Sequence, residues 1–265
     1  MELITSLSNP KVKQTRSLRQ RKGREESKTF LVEGIHPVGA AVEAGFDLVT
    51  VFYAPDFLGS LFAHELIERL KSQGVGCYAT SGDVFASMAD KENPQGILAV
   101  ARQPRLSLGT LTAKNFPWGI ALVAPQDPGN VGAILRTVDA VGASGIILLE
   151  NSVDAYHPTA VRASMGAIFR QAVVSASFAD FVHWAPRQDY HIYGSSAHAG
   201  LDYRQVDIFH KPIILLMGSE REGLNPEQCA VCERILRLPM HGKVTSLNLS
   251  VAAGVLLYSM LDKLD

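Results

Sequence analysis

The sequence predicts an α/β protein in two parts. Three observations carry that prediction. Short apolar runs alternate with segments of helical periodicity over residues 30–101, and the alternation restarts over 119–261. Between the two series, Arg102 to Pro117 carries prolines, a Gly-Thr pair and little periodicity. In the second series, three apolar runs pass directly into polar loops that contain glycine.

Taken in order, Phe30-Leu31-Val32 predicts a strand, His36 to Gly45 a helix and Leu48 to Tyr53 a strand. Leu61 to Gln73 then predicts a helix, and Val75 to Ala79 and Ile97 to Ala101 two more strands. After the break come a strand at Gly119–Ala124, a helix at Gly129–Val141 and a strand at Gly145–Leu149. Tyr190–Tyr193, Ile213–Met217 and Ile235–Leu238 predict further strands, and a last helix runs from about Ser246 to Leu261. The expected division is a first domain at 1–104, a linker at 105–118 and a second domain at 119–265.

Composition bounds the class. Of the 265 residues, 47% are hydrophobic and 19% charged, enough apolar material for a sizeable core. Three cysteines, Cys77, Cys229 and Cys232, make no secreted disulfide framework, and no apolar leader opens the chain, so the cytoplasm is the expected compartment. No apolar run reaches the roughly 18–20 residues of a membrane helix. A net charge of −1 argues against coating nucleic acid by bulk charge. A local basic run nevertheless stands near the start, with Lys11, Lys13, Arg16, Arg19, Arg21, Lys22, Arg24 and Lys28 opposed only by Glu25 and Glu26. It reads as a solvated helix face or as a patch for RNA phosphates. No aromatic residue interleaves it, so the run itself does not suggest base stacking.

The candidate chemistry lies at the three strand ends. Ile120 to Ala124 runs into Pro125-Gln126-Asp127-Pro128-Gly129-Asn130, Ile213 to Met217 into Gly218-Ser219-Glu220-Arg221-Glu222-Gly223, and Ile235 to Pro239 into Met240-His241-Gly242-Lys243-Val244-Thr245-Ser246. In parallel α/β sheets ligands bind outside the carboxyl ends of the strands, so the three loops predict one crevice. In the helix after the first loop, Val131, Ile134, Leu135, Val138 and Val141 form one apolar stripe, and Arg136 lies nearly opposite it. A surface arginine paired with Asp139 is the ordinary account of such a residue. Its place beside a glycine-bearing loop favours a functional one. Thr245 or Ser246 would cap the last helix, which leaves Asn248 as a poor helix former inside a first turn. Other signals are weaker. Gly74-Val75-Gly76-Cys77-Tyr78-Ala79 matches a dinucleotide fingerprint but begins a strand instead of following one, and Cys229-Ala230-Val231-Cys232 has no second pair for a zinc site. His241 is the one histidine in a candidate loop.

Asn130-x-Gly132-x-x-x-Arg136 resembles motif 1 of the SpoU (TrmH) RNA 2′-O-methyltransferases. Gly218-Ser219-Glu220-Arg221-Glu222-Gly223-Leu224 resembles their motif 2. Leu238-Pro239-Met240-His241-Gly242 with Ser246-Leu247-Asn248-Leu249-Ser250-Val251-Ala252 resembles their motif 3. Arg162-Ala163-Ser164-Met165-Gly166-Ala167 also fits. Ser8-Asn9-Pro10, the basic run and Phe30-Leu31-Val32-Glu33-Gly34 resemble the family's small N-terminal substrate-binding domain more loosely. The resemblance implies an α/β/α N-terminal domain and a C-terminal α/β methyltransferase domain of SPOUT type closed by a deep trefoil knot. It implies S-adenosyl-L-methionine as methyl donor, no metal, and a homodimer formed through the C-terminal domain with active sites drawn from both chains. The substrate it implies is a ribose 2′-OH of structured RNA. The two-domain layout leans toward 23S ribosomal RNA by analogy, and a transfer-RNA methyltransferase or a non-catalytic, ribosome-associated RNA-binding factor stands as the alternative.

Carried over by motif position, Asn130 would position the ribose or hold the first loop, Glu220 would order the second loop, and Ser246 and Asn248 would organise the substrate side. Gly218, Leu238, Met240, Ser246 and Leu247 would line the donor pocket. Lys11, Lys13, Arg16, Arg19, Arg21, Lys22 and Arg24 would meet RNA. The family assigns activation of the 2′-OH to the residue matching Arg136. Because arginine stays protonated in essentially all proteins, electrostatic stabilisation of the developing alkoxide and contact with an RNA phosphate are the better expectation for it.

Overall fold

The computed structural model describes residues 3–90 and 94–265. The chain divides into two compact units, one of residues 1–104 with 156–169 and the other of 105–155 with 170–265.

The first unit opens with two short helices, α1 (Pro10–Ser17) and α2 (Arg21–Ser27). Asn9 caps α1 by accepting from the Lys11 amide, and Pro10 occupies the first helical turn, where no backbone donor is needed. There follow β1 (Thr29–Glu33), α3 (Ile35–Glu43), β2 (Leu48–Tyr53), α4 (Leu61–Ser72), β3 (Gly76–Ala79), α5 (Gly82–Met88) and β4 (Ile97–Arg102). The sheet order is β1-β4-β2-β3, with only the β2–β3 pair parallel. One face packs Leu31, Phe52, Leu98 and Val100 against Val12 of α1 and Val84, Phe85 and Met88 of α5. On the other, Phe30 meets Phe46 at 5.9 Å and Tyr156 at 4.7 Å between ring centroids. Tyr156 belongs to the segment 156–169, which carries the short helix α7 (Pro158–Ala163). Covered on both faces, β1 is buried at every position, with the apolar run Phe30-Leu31-Val32 between buried Thr29 and Glu33.

The second unit is a seven-stranded, all-parallel sheet in the order β7-β6-β5-β10-β8-β11-β9. Its elements are β5 (Trp118–Val123), α6 (Pro128–Ala140), β6 (Gly145–Leu149), β7 (Ala172–Ala176), α8 (Phe178–Trp184), β8 (His191–Ser195), β9 (Leu201–Asp202), β10 (Ile213–Met217), α9 (Pro226–Ala230), β11 (Arg234–Arg237) and α10 (Leu249–Leu261). From β5 the chain first builds outward through β6 and β7. It then crosses over to β8, and β10 returns to lie between β8 and β5. The direction of winding therefore changes between β5 and β10, the place where open α/β sheets bind ligands. One face of the sheet is covered by a cluster that contains Phe116, Phe181 and Tyr190, and the Tyr190 hydroxyl donates to the Phe116 carbonyl at 2.5 Å. α6 packs on β6 and on α10.

The structure differs from the sequence expectation in several places, α5, β9 and α9 being unpredicted elements among them. The stretch expected as a linker, 105–118, contributes buried Leu108, Leu111 and Phe116 to the core of the second unit. β7, α7 and α8 are additional elements between 150 and 189. The last helix begins three residues later than expected, with Asn248 as its cap.

Candidate active site

Three loops meet at the carboxyl end of the parallel sheet. After β5, Asp127 caps α6 by accepting from the Gly129 amide at 2.7 Å. The strand leaves through Ala124 at φ 48°, a left-handed conformation that costs a non-glycine residue about 1–2 kcal/mol and is found at functional turns. After β10, the loop 218–224 folds back on itself through a bridge between Ser219 and Gly223. Gly223 sits at φ 66°. A Cβ on Gly218 would lie 2.0 Å from the Gly223 carbonyl carbon, so only glycine permits that closure.

Glu220, at the tip of this fold, reaches the first loop. Its Oε1 accepts from Asn130 Nδ2 at 2.9 Å and its Oε2 from the Gln126 amide at 3.1 Å. Burial pushes the carboxyl up. The hydrogen bonds from Asn130 and from the backbone of Glu220, Gln126 and Asp127 outweigh it and hold the group below its ordinary value. Asn130 is buried, and its own carbonyl oxygen accepts from Asn248 Nδ2 at 2.9 Å. Asn248 Oδ1 in turn accepts from the Ser250 amide at 2.9 Å and the Ser250 hydroxyl at 2.7 Å, capping α10. Glu220, Asn130 and Asn248 thus form one directional chain of hydrogen bonds across residues from all three loops. Each amide has a single orientation that satisfies both neighbours. The position that looked unfavourable for asparagine inside a first turn is the cap itself.

Beside this chain lies a cavity of about 350 Å³, within the roughly 300–1,000 Å³ usual for small-molecule sites. It is lined by Gly218, Leu224, Leu238, Met240, Ser246 and Leu247 among others, so the expected donor-pocket residues converge. Ser195, the last residue of β8, and Ser196, Ala197 and His198 after it also line it and were not anticipated. The signal was present: they too form a small, polar strand-end loop, closed by Gly200. Aliphatic walls beside a folded-back loop of backbone amides suit a flat heterocycle with polar edges.

Other expected residues lie elsewhere. Arg136 is exposed on α6, outside the cavity lining, with no hydrogen bond or ion pair among the described residues. Its supposed partner Asp139 is held instead by Arg170 at 2.7 Å and Gln171 at 2.9 Å, which depresses the aspartate's pKa. His241 is exposed and does not line the cavity. The Cys232 thiol is pushed up to about 12 by burial, which disfavours the thiolate that metal or redox chemistry needs.

In the basic run, Lys11, Lys13, Arg19, Arg21 and Lys22 are exposed and Arg16 is half-buried. Arg24 is a correction: it is 1% exposed and donates to the carbonyls of Leu18 and Arg19 at 2.7 and 3.0 Å. It closes the C-terminal end of α1, a role suited to a cation, and is not free to meet a phosphate.

Comparison with known proteins gives concordant results. The family model described as the SpoU rRNA Methylase family matches residues 117–258, and that of an MRM3-like substrate-binding domain matches residues 9–99. The chain is 29% identical to a 23S rRNA (guanosine(2553)-2′-O)-methyltransferase of Bacillus subtilis, over 98% of this chain and 99% of the relative. It is 31% identical to a 23S rRNA (uridine(2479)-2′-O)-methyltransferase of Streptomyces viridochromogenes, over 91% and 85% respectively. A crystal structure of an AdoMet-bound rRNA methyltransferase from Sinorhizobium meliloti superposes with a TM-score of 0.88 at 32% identity, covering 98% of this chain and 97% of that one.

Proposed function

Since the chain belongs to the SpoU rRNA methylase family, we propose that it methylates a ribose 2′-hydroxyl of 23S ribosomal RNA with S-adenosyl-L-methionine as donor. The observation that carries the proposal is the Glu220–Asn130–Asn248 chain beside the cavity, because it ties the three sequence motifs into one site. The donor, when bound, supplies a methyl group already activated on a sulfonium, so the protein's task is positioning and electrostatics. Gly218, Leu238, Met240, Ser246 and Leu247 would hold it, by backbone groups and aliphatic contact. Glu220 and Asn130 fix the two loops that bound the substrate side, and Asn248 locks them to α10. Arg136, permanently cationic, binds an RNA phosphate and stabilises charge developing on the 2′-oxygen; the proton leaves to phosphate or water.

Arg136 lies outside its own chain's cavity, and a homodimer accounts for that. α10 is apolar all round, yet Val251, Val255 and Tyr258, on one helical face, are 52%, 37% and 51% exposed. Such a face calls for a partner, and a second copy packed there, beside α6, would bring Arg136 toward the neighbouring site. The deep trefoil knot belongs to the same reading: after β11 the chain must recross β8 and β10 to place α10 on α6. Lys11, Lys13, Arg16, Arg19, Arg21 and Lys22 guide the RNA. We place the reaction in the cytoplasm, which suits three free cysteines. No helix among the described residues is long and apolar enough to cross a membrane.

The test is methyl transfer from labelled donor to unmodified 23S and transfer RNA. Label in 2′-O-methylated nucleosides of 23S RNA is expected. Transfer only to transfer RNA would move the substrate, and donor binding without transfer to any RNA would favour a non-catalytic binding factor.

A further inference from the structure

A second concave site lies in the first unit, far in sequence from the three motifs. β3 is the edge strand of its sheet, and its outer side carries a bridge only at Ile4–Thr80 among the described residues. Below that bridge opens a hollow of about 770 Å³, lined by Lys11, Lys71, Tyr78 and the Gly74-Val75-Gly76 backbone among others. These are the glycines of the fingerprint-like segment that no dinucleotide reading absorbs. Gly76 has a local reason: a Cβ there would stand 3.3 Å from the Tyr78 ring, which folds back over it. The ring is backed by Phe52 at 5.8 Å between centroids. Lys11 Nζ lies 4.8 Å from the ring centroid, on a stem flexible enough to reach a phosphate while a base takes the ring face. Lys71 pairs with Glu68 at 2.6 Å, but neither Glu68 nor any other carboxylate lines the hollow.

Two lysines, one supported aromatic ring, accessible backbone and no lining carboxylate form the recognition chemistry of a nucleotide. We propose that this hollow holds an unpaired nucleotide of the RNA substrate, its base on Tyr78 and its phosphates at Lys11 and Lys71. The proposal rests on the assignment of RNA as substrate and adds a site for it that selects single-stranded over paired RNA. It also supplies the aromatic residue that the basic run itself lacks.

The test uses the full chain and a fluorescein-labelled, unstructured hexaribonucleotide, read by anisotropy across a salt series. Tyr78→Leu should weaken binding about 5-fold or more, while Tyr78→Phe keeps it. Lys11→Gln combined with Lys71→Gln, a surface change, should lower the magnitude of the logarithmic salt slope by roughly 1.4, the value for two phosphate contacts on a single strand. In methyl transfer both variants should raise KM for RNA with kcat and donor affinity unchanged. Hexamer binding and salt slope equal to wild type in both variants would overturn the proposal. So would adenosine monophosphate binding as tightly as the hexamer, which would mark a free-nucleotide site. A wild-type protein that methylates no RNA would remove the catalytic assignment, yet the hexamer measurements would still decide this one.

Discussion

Asn248 offers the sharpest perturbation because it does two separable things. Its Oδ1 caps α10, and its Nδ2 holds Asn130. Asn248→Ala removes both. Loss of an N-cap costs about 0.5–2 kcal/mol. The lost amide bond adds about 0.5–1.5 kcal/mol, the net value of an ordinary hydrogen bond, because Asn248 is exposed and water can reach the vacated position. The sum, about 1–3.5 kcal/mol, lowers Tm by roughly 2–14 °C for a domain of this size. Asn248→Asp keeps the cap but sets an oxygen against the Asn130 carbonyl. Asn130 cannot escape by rotating its amide, since that would turn its oxygen onto the Glu220 carboxylate. The aspartate variant should therefore keep the cap's share of stability, melt below wild type by at least the roughly 1–6 °C that the lost amide bond is worth, and lose about 100-fold in kcat, the scale of a small displacement of catalytic loops. Thermal denaturation and single-turnover methyl transfer, measured on both variants, separate the two effects. Wild-type transfer by Asn248→Asp would refute the positioning role. A wild-type Tm for Asn248→Ala would refute the capping account.

Arg136→Ala should leave Tm and donor affinity unchanged, because the side chain is exposed and makes no ion pair among the described residues, while abolishing transfer to RNA; undiminished transfer would remove its assigned role. Glu220 has a depressed pKa in the folded state. Its stabilising contribution is therefore full above the ordinary value of 4.5 and is lost as pH falls through the depressed one. The Tm difference between wild type and Glu220→Gln should accordingly shrink below about pH 4.5, and a difference constant from pH 7 to pH 3 would contradict the hydrogen-bonding account. Val255→Asp on the exposed face of α10 should yield a monomer by light scattering at micromolar concentration; a persistent dimer would move the interface elsewhere.

What could be read from sequence follows physical lines. β2, β6 and β10 have the bounds their apolar runs predict, because buried parallel and central strands show as continuous apolar segments between turn residues. β7 is not legible because its apolar run Ala172-Val173-Val174 is broken by an exposed Ser175, and α7 and α8 are not because six and seven residues make fewer than two helical turns. The start of α10 was misplaced because two hydroxyl residues and an asparagine compete as caps within four positions, and only the contact with Asn130 decides among them. Long-range pairing was equally hidden. Asp139 answers to Arg170, thirty-one residues away, which no local reading supplies, whereas Arg24 turns back on the Leu18 and Arg19 carbonyls just past α1, a burial that a run of basic residues does not signal. The site's residues were visible as motifs, but their connection into one hydrogen-bonded chain was not.

Methylation of a ribose hydroxyl at this site is open to direct observation. Unmodified ribosomal RNA is incubated with the protein and donor carrying a deuterated methyl group, then digested to nucleosides and analysed by mass spectrometry. The mass-shifted methyl is expected on ribose, in a single 2′-O-methylated nucleoside. A mass-shifted methyl on a base, or none on any RNA although the donor binds, would contradict it.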